Sequence, residues 1–90
     1  RVYVTGEVLK PGHYVLRPHT NIVQAITLAG GLSPFAASRR IQVHRTIAGA
    51  DSIFLFNFKD FEAGTGPQEN VNLNLRSGDV VIVPERGLFE

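Results

Sequence analysis

The sequence predicts an α+β domain, a mixed sheet of about five strands gripping one short helix. Three observations predict it. Several stretches alternate apolar and polar residues with period 2. One stretch alone has helical spacing, and it is closed by Gly30-Gly31. A final apolar run, Val80 to Val83, is ended by Pro84.

Arg1 to Val8 opens the chain as a half-buried strand, with Val2 and Val4 on one face and Tyr3 and Thr5 on the other. Gly6 interrupts it, the mark of a bulge or of a close backbone approach. Lys10-Pro11-Gly12-His13 fits a type II turn: proline presets φ at the second position, and glycine accepts positive φ at the third. Tyr14 to Leu16 is the returning strand, which Pro18 prevents from running on. Thr20 or Asn21 caps the helix near residues 21–30, and Gln24 lies at capping-box spacing from Asn21. Ile22, Val23, Ile26 and Ala29 form its apolar stripe. Gly30 suits a left-handed cap, and a helix this short must pack on the sheet to persist.

Ser33 to Ser38 reads as a loop. Arg39 to Thr46 alternates again, with Ile41 and Val43 on one face and Arg40, Gln42 and His44 on the other. Ala48-Gly49-Ala50-Asp51 turns the chain into Ser52 to Phe58. That strand has Phe54, Phe56 and Phe58 on one side and Ile53 and Leu55 on the other, so it is expected to be central and covered on both faces. Phe61 is placed in a short helical turn that plugs one end of the core. Glu62 to Asn70 is a glycine-bearing connection, and Val71 to Leu75 is expected to add a short strand. Arg76-Ser77-Gly78-Asp79 turns into the last strand. The order is that of a β-grasp.

Ninety residues, 43% of them hydrophobic and 19% charged, fit one globular domain spanning 1–90. A chain of this length buries only roughly 60% of its unfolded surface, so its core is thin. Nine basic and eight acidic residues leave a formal charge of +1, which gives no electrostatic footprint for nucleic acid or an anionic membrane. There is no cysteine, hence no disulfide and no thiolate metal site. No apolar run reaches the ~20 residues of a membrane span. With no methionine even at position 1, the chain is expected to be an excised piece of a longer one.

No residue set announces catalysis. His13, His19 and His44 lack the short spacings of metal ligands, and no nucleophile elbow frames a serine. Asp60 and Glu62 lie in a polar connection that offers neither burial nor a close partner to perturb a carboxylate. No cofactor is called for. The polar feature that stands out is the group Arg39, Arg40, Gln42, His44 and Arg45. Alternation projects Arg40, Gln42 and His44 together as a row able to bind hydroxyls, carboxylates or a partner chain. The plainer alternative is a solvated outer face.

Val4-Thr5-Gly6-Glu7-Val8 with Pro11-Gly12, Ala29-Gly30-Gly31, Val43-His44-Arg45, Phe58-Lys59-Asp60-Phe61 and Gly78-Asp79-Val80-Val81-Ile82-Val83-Pro84 resemble, in order and spacing, the soluble-ligand-binding β-grasp (SLBB) domain of polysaccharide export proteins. The resemblance implies a non-catalytic assembly or binding module. It implies a periplasmic parent, anchored at the outer membrane, that forms an oligomeric ring and conducts capsule or exopolysaccharide. Homo-oligomer contacts through that parent, and contact with sugar, follow from it, with no nucleic acid partner and no membrane contact by the domain itself. Two other readings stay open. A DNA-uptake competence receptor carries a related domain, but with a short connection where more than forty residues stand here. A small-sugar-binding module would show a pocket at Arg40, Gln42 and His44, whereas a flat face there favours assembly.

Overall fold

The computed structural model describes residues 1–68 and 70–89. The chain runs β1 (Val2–Gly6), β2 (Gly12–Tyr14), α1 (Ile22–Leu28), β3 (Ile41–Ile47), β4 (Ala50–Phe56), α2 (Phe58–Ala63) and β5 (Val80–Val83). The five strands form one open sheet of order β2-β1-β5-β3-β4. β1 and β5 pair in parallel, with Tyr3 opposite Val80 and Gly6 opposite Val83. All other neighbours are antiparallel. This is the β-grasp arrangement of an α+β fold.

α1 forms where the capping signals put it. Asn21 Oδ1 accepts from the Gln24 amide at 2.9 Å, and Gln24 Oε1 accepts from the Asn21 amide at 3.0 Å, a complete capping box. At the other end Gly30, at φ 86°, leaves the helix left-handed. The Gly31 amide reaches the Ile26 carbonyl at 2.9 Å and the Gly30 amide that of Thr27 at 3.0 Å, a Schellman closure. Ile22, Ala25, Ile26 and Ala29 are all buried. They pack on the inner face of the sheet: Val2 and Val4 from β1, Ile41 and Val43 from β3, Phe56 from β4, and Val81 and Val83 from β5. Burying one such aliphatic side chain contributes about 1.5–3 kcal/mol, and this layer is the thin core expected.

Three expectations need correction. β4 is an edge strand, not a central one, and its outward residues Ile53 and Leu55 are 57% and 69% exposed. Its inner side is covered as expected: Phe56 is buried, with Phe58 and Phe61 rings 6.1 and 5.5 Å away. The central position belongs to β5, held between β1 and β3. Residues 71–75 are not a strand of the sheet. They form a strap fixed to the start of α1, where the Ile22 amide donates to the Leu73 carbonyl and the Leu75 amide to the Thr20 carbonyl, each at 2.8 Å. Asparagine is a poor strand former; here Asn72 Oδ1 accepts from the Val23 amide at 3.2 Å, and the Asn74 backbone carbonyl accepts from the Arg45 guanidinium at 3.0 Å. Finally, the first hairpin is not closed by a type II turn. Gly12 has positive φ, but at 156° rather than the ~80° of that turn, and it already pairs with Val4. The connection is longer because Val8 dips inward to bridge Leu32.

Candidate functional site

Each strand directs alternate side chains away from α1, and these make a second, outer face. Cross-strand register aligns two rows on it. One runs His13, Tyr3, Val80, His44, Ile53, and the other Thr5, Ile82, Gln42, Leu55. No helix covers this face among the described residues. Tyr3, Ile53 and Leu55 are exposed, while Val80, Ile82, Gln42 and His44 are half-buried by their neighbours. The rings of Tyr3 and His13 lie 4.7 Å apart and 30° from parallel. At the centre His44 Nε2 and Gln42 Oε1 are 2.8 Å apart. Neither row contains an aspartate, glutamate, lysine or arginine. β5, in the middle of the sheet, presents Val80 and Ile82, the Tyr3–His13 and Gln42–His44 pairs bring donors and acceptors on either side of it, and Tyr3, His13 and Val80 help line a hollow of about 330 Å³.

The five candidate residues separate. Gln42 and His44 come together on the outer face as expected, and among the described residues none of the better-formed hollows is lined by them with Arg40. Arg40 lies at the foot of the same row, where its Nη2 donates to the Glu85 carbonyl at 3.2 Å. Arg39 turns away toward α2 and forms an exposed ion pair with Asp60, Nη1 to Oδ1 at 3.2 Å.

Arg45 is interior. It shares the parity of Ile41 and Val43 and is only 7% exposed. Its guanidinium grips the buried Asp79 bidentately, Nε to Oδ1 at 2.9 Å and Nη2 to Oδ2 at 2.7 Å. It also donates to the Asn74 carbonyl at 3.0 Å and lies 5.2 Å over the Phe54 ring. Asp79 Oδ2 accepts in addition from the Arg76 amide at 2.8 Å. The hydrogen bonds to Asp79 raise the Arg45 pKa above its ordinary value, aided by the charge of Asp79 and opposed by burial. Arg45 therefore ties β3 to the start of β5 and to the strap, and cannot reach a partner. Asp79 was missed as its counterpart. The only sequence signal was parity, which sets Arg45 beside Ile41 and Val43.

The histidines do not converge. His13 stacks on Tyr3, His44 meets Gln42, and His19 occupies a left-handed loop position at φ 65°. Among the described residues no group of three or more His, Asp or Glu could hold a metal, and no helix is long and apolar enough to cross a membrane.

A mixed sheet with one face on a helix and the other bare defines a domain of the β-grasp class. The family model for the SLBB domain matches residues 1–56, more than half of the chain, so the chain belongs to the SLBB domain family. That family is of the ligand-binding type and is not a known catalytic one. No curated protein matches the chain significantly.

Proposed function

We propose that this chain is a non-catalytic assembly module of a polysaccharide-export protein. In this reading it makes subunit contacts in a periplasmic ring whose parent is anchored at the outer membrane, and the exported sugar is a further contact. The observation that carries it is the bare outer face of the sheet, with Tyr3, Ile53 and Leu55 exposed on one surface. Exposed apolar surface with polar groups beside it marks an interface, and the hollow beside Tyr3, His13 and Val80 does not reach Gln42 and His44, so most of the face suits a protein neighbour better than a small ligand, which needs concavity. Membership of a binding-type family supports the same reading.

The parent protein's mass by light scattering, beside its polysaccharide secretion, tests this. Tyr3→Asp or His44→Glu on the face, and Arg40→Glu at its foot, should dissociate the oligomer and reduce secretion while leaving the fold intact. Parental oligomer and parental secretion in all three variants would overturn it. One observation favours sugar as the direct ligand: the stacked Tyr3–His13 pair offers an aromatic surface on the same face as the Gln42–His44 pair. If a sugar titration shifts the resonances of these four residues while the variants keep the oligomer, the face binds carbohydrate and the assembly reading gives way to that one.

A further inference from the structure

The two edges of the sheet are built differently. β2 is three residues long and flanked by Pro11 and Pro18. β4 is seven residues long, has neither proline nor lysine, and carries one charge, Asp51, near its start. Soluble proteins blunt exposed edges with short strands, prolines, lysines or bulges. β2 is blunted in this way and β4 is not.

The backbone groups that each edge presents follow from the register. Ala48 and Gly49, at φ 52° and 80°, make a two-residue type I′ loop, so Ile47 and Ala50 are its hydrogen-bonded closing pair. Alternate residues 52, 54 and 56 then face β3, and Asp51, Ile53 and Leu55 direct N–H and C=O groups outward. On β1 the Tyr3 amide donates to the Asp79 carbonyl at 3.0 Å and the Glu7 amide to the Val83 carbonyl at 2.8 Å, so the odd residues face β5. Val2 and Val4 therefore face β2 and hold Tyr14 and Gly12. His13 turns its backbone groups outward, and the same alternation carried past the end of β2 would do so for Val15. The strand polarities in the sheet order make β4 and β2 antiparallel to one another. A second copy in the same orientation can thus set its β2 against β4 and continue the sheet.

We propose that β4 of one copy pairs antiparallel with the His13–Arg17 segment of the next copy, in a head-to-tail contact that joins neighbours within one layer. The proposal rests on the assembly reading and names its contact. Registers that differ by two residues serve both edges alike; the one the side chains favour sets Leu55 opposite His13 and Ile53 opposite Val15 as backbone pairs and brings the Asp51 and Arg17 side chains together, the Arg17 carbonyl being already held by the Thr20 amide at 3.3 Å and Thr20 Oγ1 at 2.7 Å. Asp51, Ile53, Leu55 and His13 lie on the outer face, while Val15 and Arg17 follow β2 at the margin of the sheet, beside the groove next to α1. The pairing sets opposite charges against one another, and an aliphatic pair meets where each member is exposed, Val15 by 80% and Ile53 by 57%. Opposite-charge and aliphatic cross-strand pairs are both favourable. The β2 margin has more apolar surface to cover, a groove of about 570 Å³ lined in part by Val15, Leu16, Val23 and Leu28. Because the two surfaces differ, the contact is heterologous and repeats, closing a ring where the rotation allows. Three residue pairs make a small interface, so the isolated chain associates weakly.

The chain has no cysteine, so disulfide trapping reads the contact directly. A hydrogen-bonded cross-strand pair has Cα atoms about 5.5 Å apart, within disulfide range. Val15→Cys and Ile53→Cys remove no core contact, and circular dichroism checks their fold. Mixed in equal amounts under mild oxidation, they should give the Val15→Cys/Ile53→Cys heterodimer in clear excess over the half of all dimers that random pairing yields. Asp51→Arg in the Ile53→Cys chain should lower that yield about two- to five-fold, and Arg17→Asp in the other chain should restore it. A random mixture, or dominant Ile53→Cys homodimers, overturns the contact. The same pair in the parent protein separates the two readings. An intact oligomer without the mixed disulfide overturns only the β4–β2 contact, while a monomeric parent overturns the assembly reading with it.

Discussion

Replacing Arg45 by methionine tests whether this residue belongs to the interior or to a contact surface. The substitution keeps the length of the aliphatic stem and removes the guanidinium. Asp79, 1% exposed, then loses both charge-assisted bonds and keeps only the Arg76 amide. Removing one partner of a buried ion pair costs about 3–5 kcal/mol, because the remaining charge stays out of water without compensation. The Asn74 carbonyl also loses a donor, and the Phe54 ring loses its cation. A domain of this length is stable by only about 5–13 kcal/mol in total. With a urea m-value near 1 kcal/mol per molar for so short a chain, the midpoint of denaturation should fall by about 3–5 M. Arg40→Glu, on the surface, should move it by less than about 0.5 M. Adding Asp79→Leu to Arg45→Met should recover much of the loss, since an apolar pair can replace a buried ionic one at little cost. A midpoint for Arg45→Met within 1 M of the parent, or a double variant as unstable as the sum of its parts, would refute the reasoning.

Other substitutions probe the backbone. A Cβ on Gly6, whose φ is 91°, would lie 2.1 Å from the Val83 carbonyl oxygen, so Gly6→Ala should cost about 3 kcal/mol or more and lower the melting temperature accordingly. Gly12→Ala meets no atom within 4 Å, and only strain at φ 156° opposes it, so its cost should be nearer 1 kcal/mol in the same melt. Ala48 sits left-handed in the type I′ loop at φ 52°, a position that asparagine fills more easily. Ala48→Asn should therefore raise the denaturation midpoint by the equivalent of about 0.5–1 kcal/mol. Asn21→Ala deletes one half of the capping box and should cost about 1 kcal/mol, with faster amide exchange in the first turn of α1.

The elements that were legible in the sequence are those whose signals are local. Asn21 with Gln24, and Gly30 with Gly31, fix both ends of α1 within a few residues of one another. The alternation of Ile41 and Val43 with Gln42 and His44 marks two faces without reference to any other strand. What was not legible depends on neighbours far along the chain. Ile53 and Leu55 give β4 the composition of a covered strand, yet edge or centre is a property of sheet order, and β5 takes the centre only after the chain has passed through α2 and the strap. Arg45 shows the same limit. Parity placed it inward, but the carboxylate that makes an inward arginine tolerable lies 34 residues later. Grouped by charge with Arg39 and Arg40, it looked like surface. The outer row survived because it rests on period 2 alone.

The parallel pairing of β1 with β5 has a mechanical consequence. Because these adjacent strands run the same way, the chain enters the sheet at one end and its last strand leaves at the other. Tension between the two ends therefore pulls β1 and β5 in opposite senses along their common axis. The bonds between them, from the Tyr3 amide at one end to the Glu7 amide at the other, are then stretched together rather than one after another. A hairpin such as β3–β4, pulled apart from its open end, would instead unzip pair by pair. Strung in line within a longer polypeptide, this domain would transmit a pull through its most protected pair of strands and yield only when that whole seam slides.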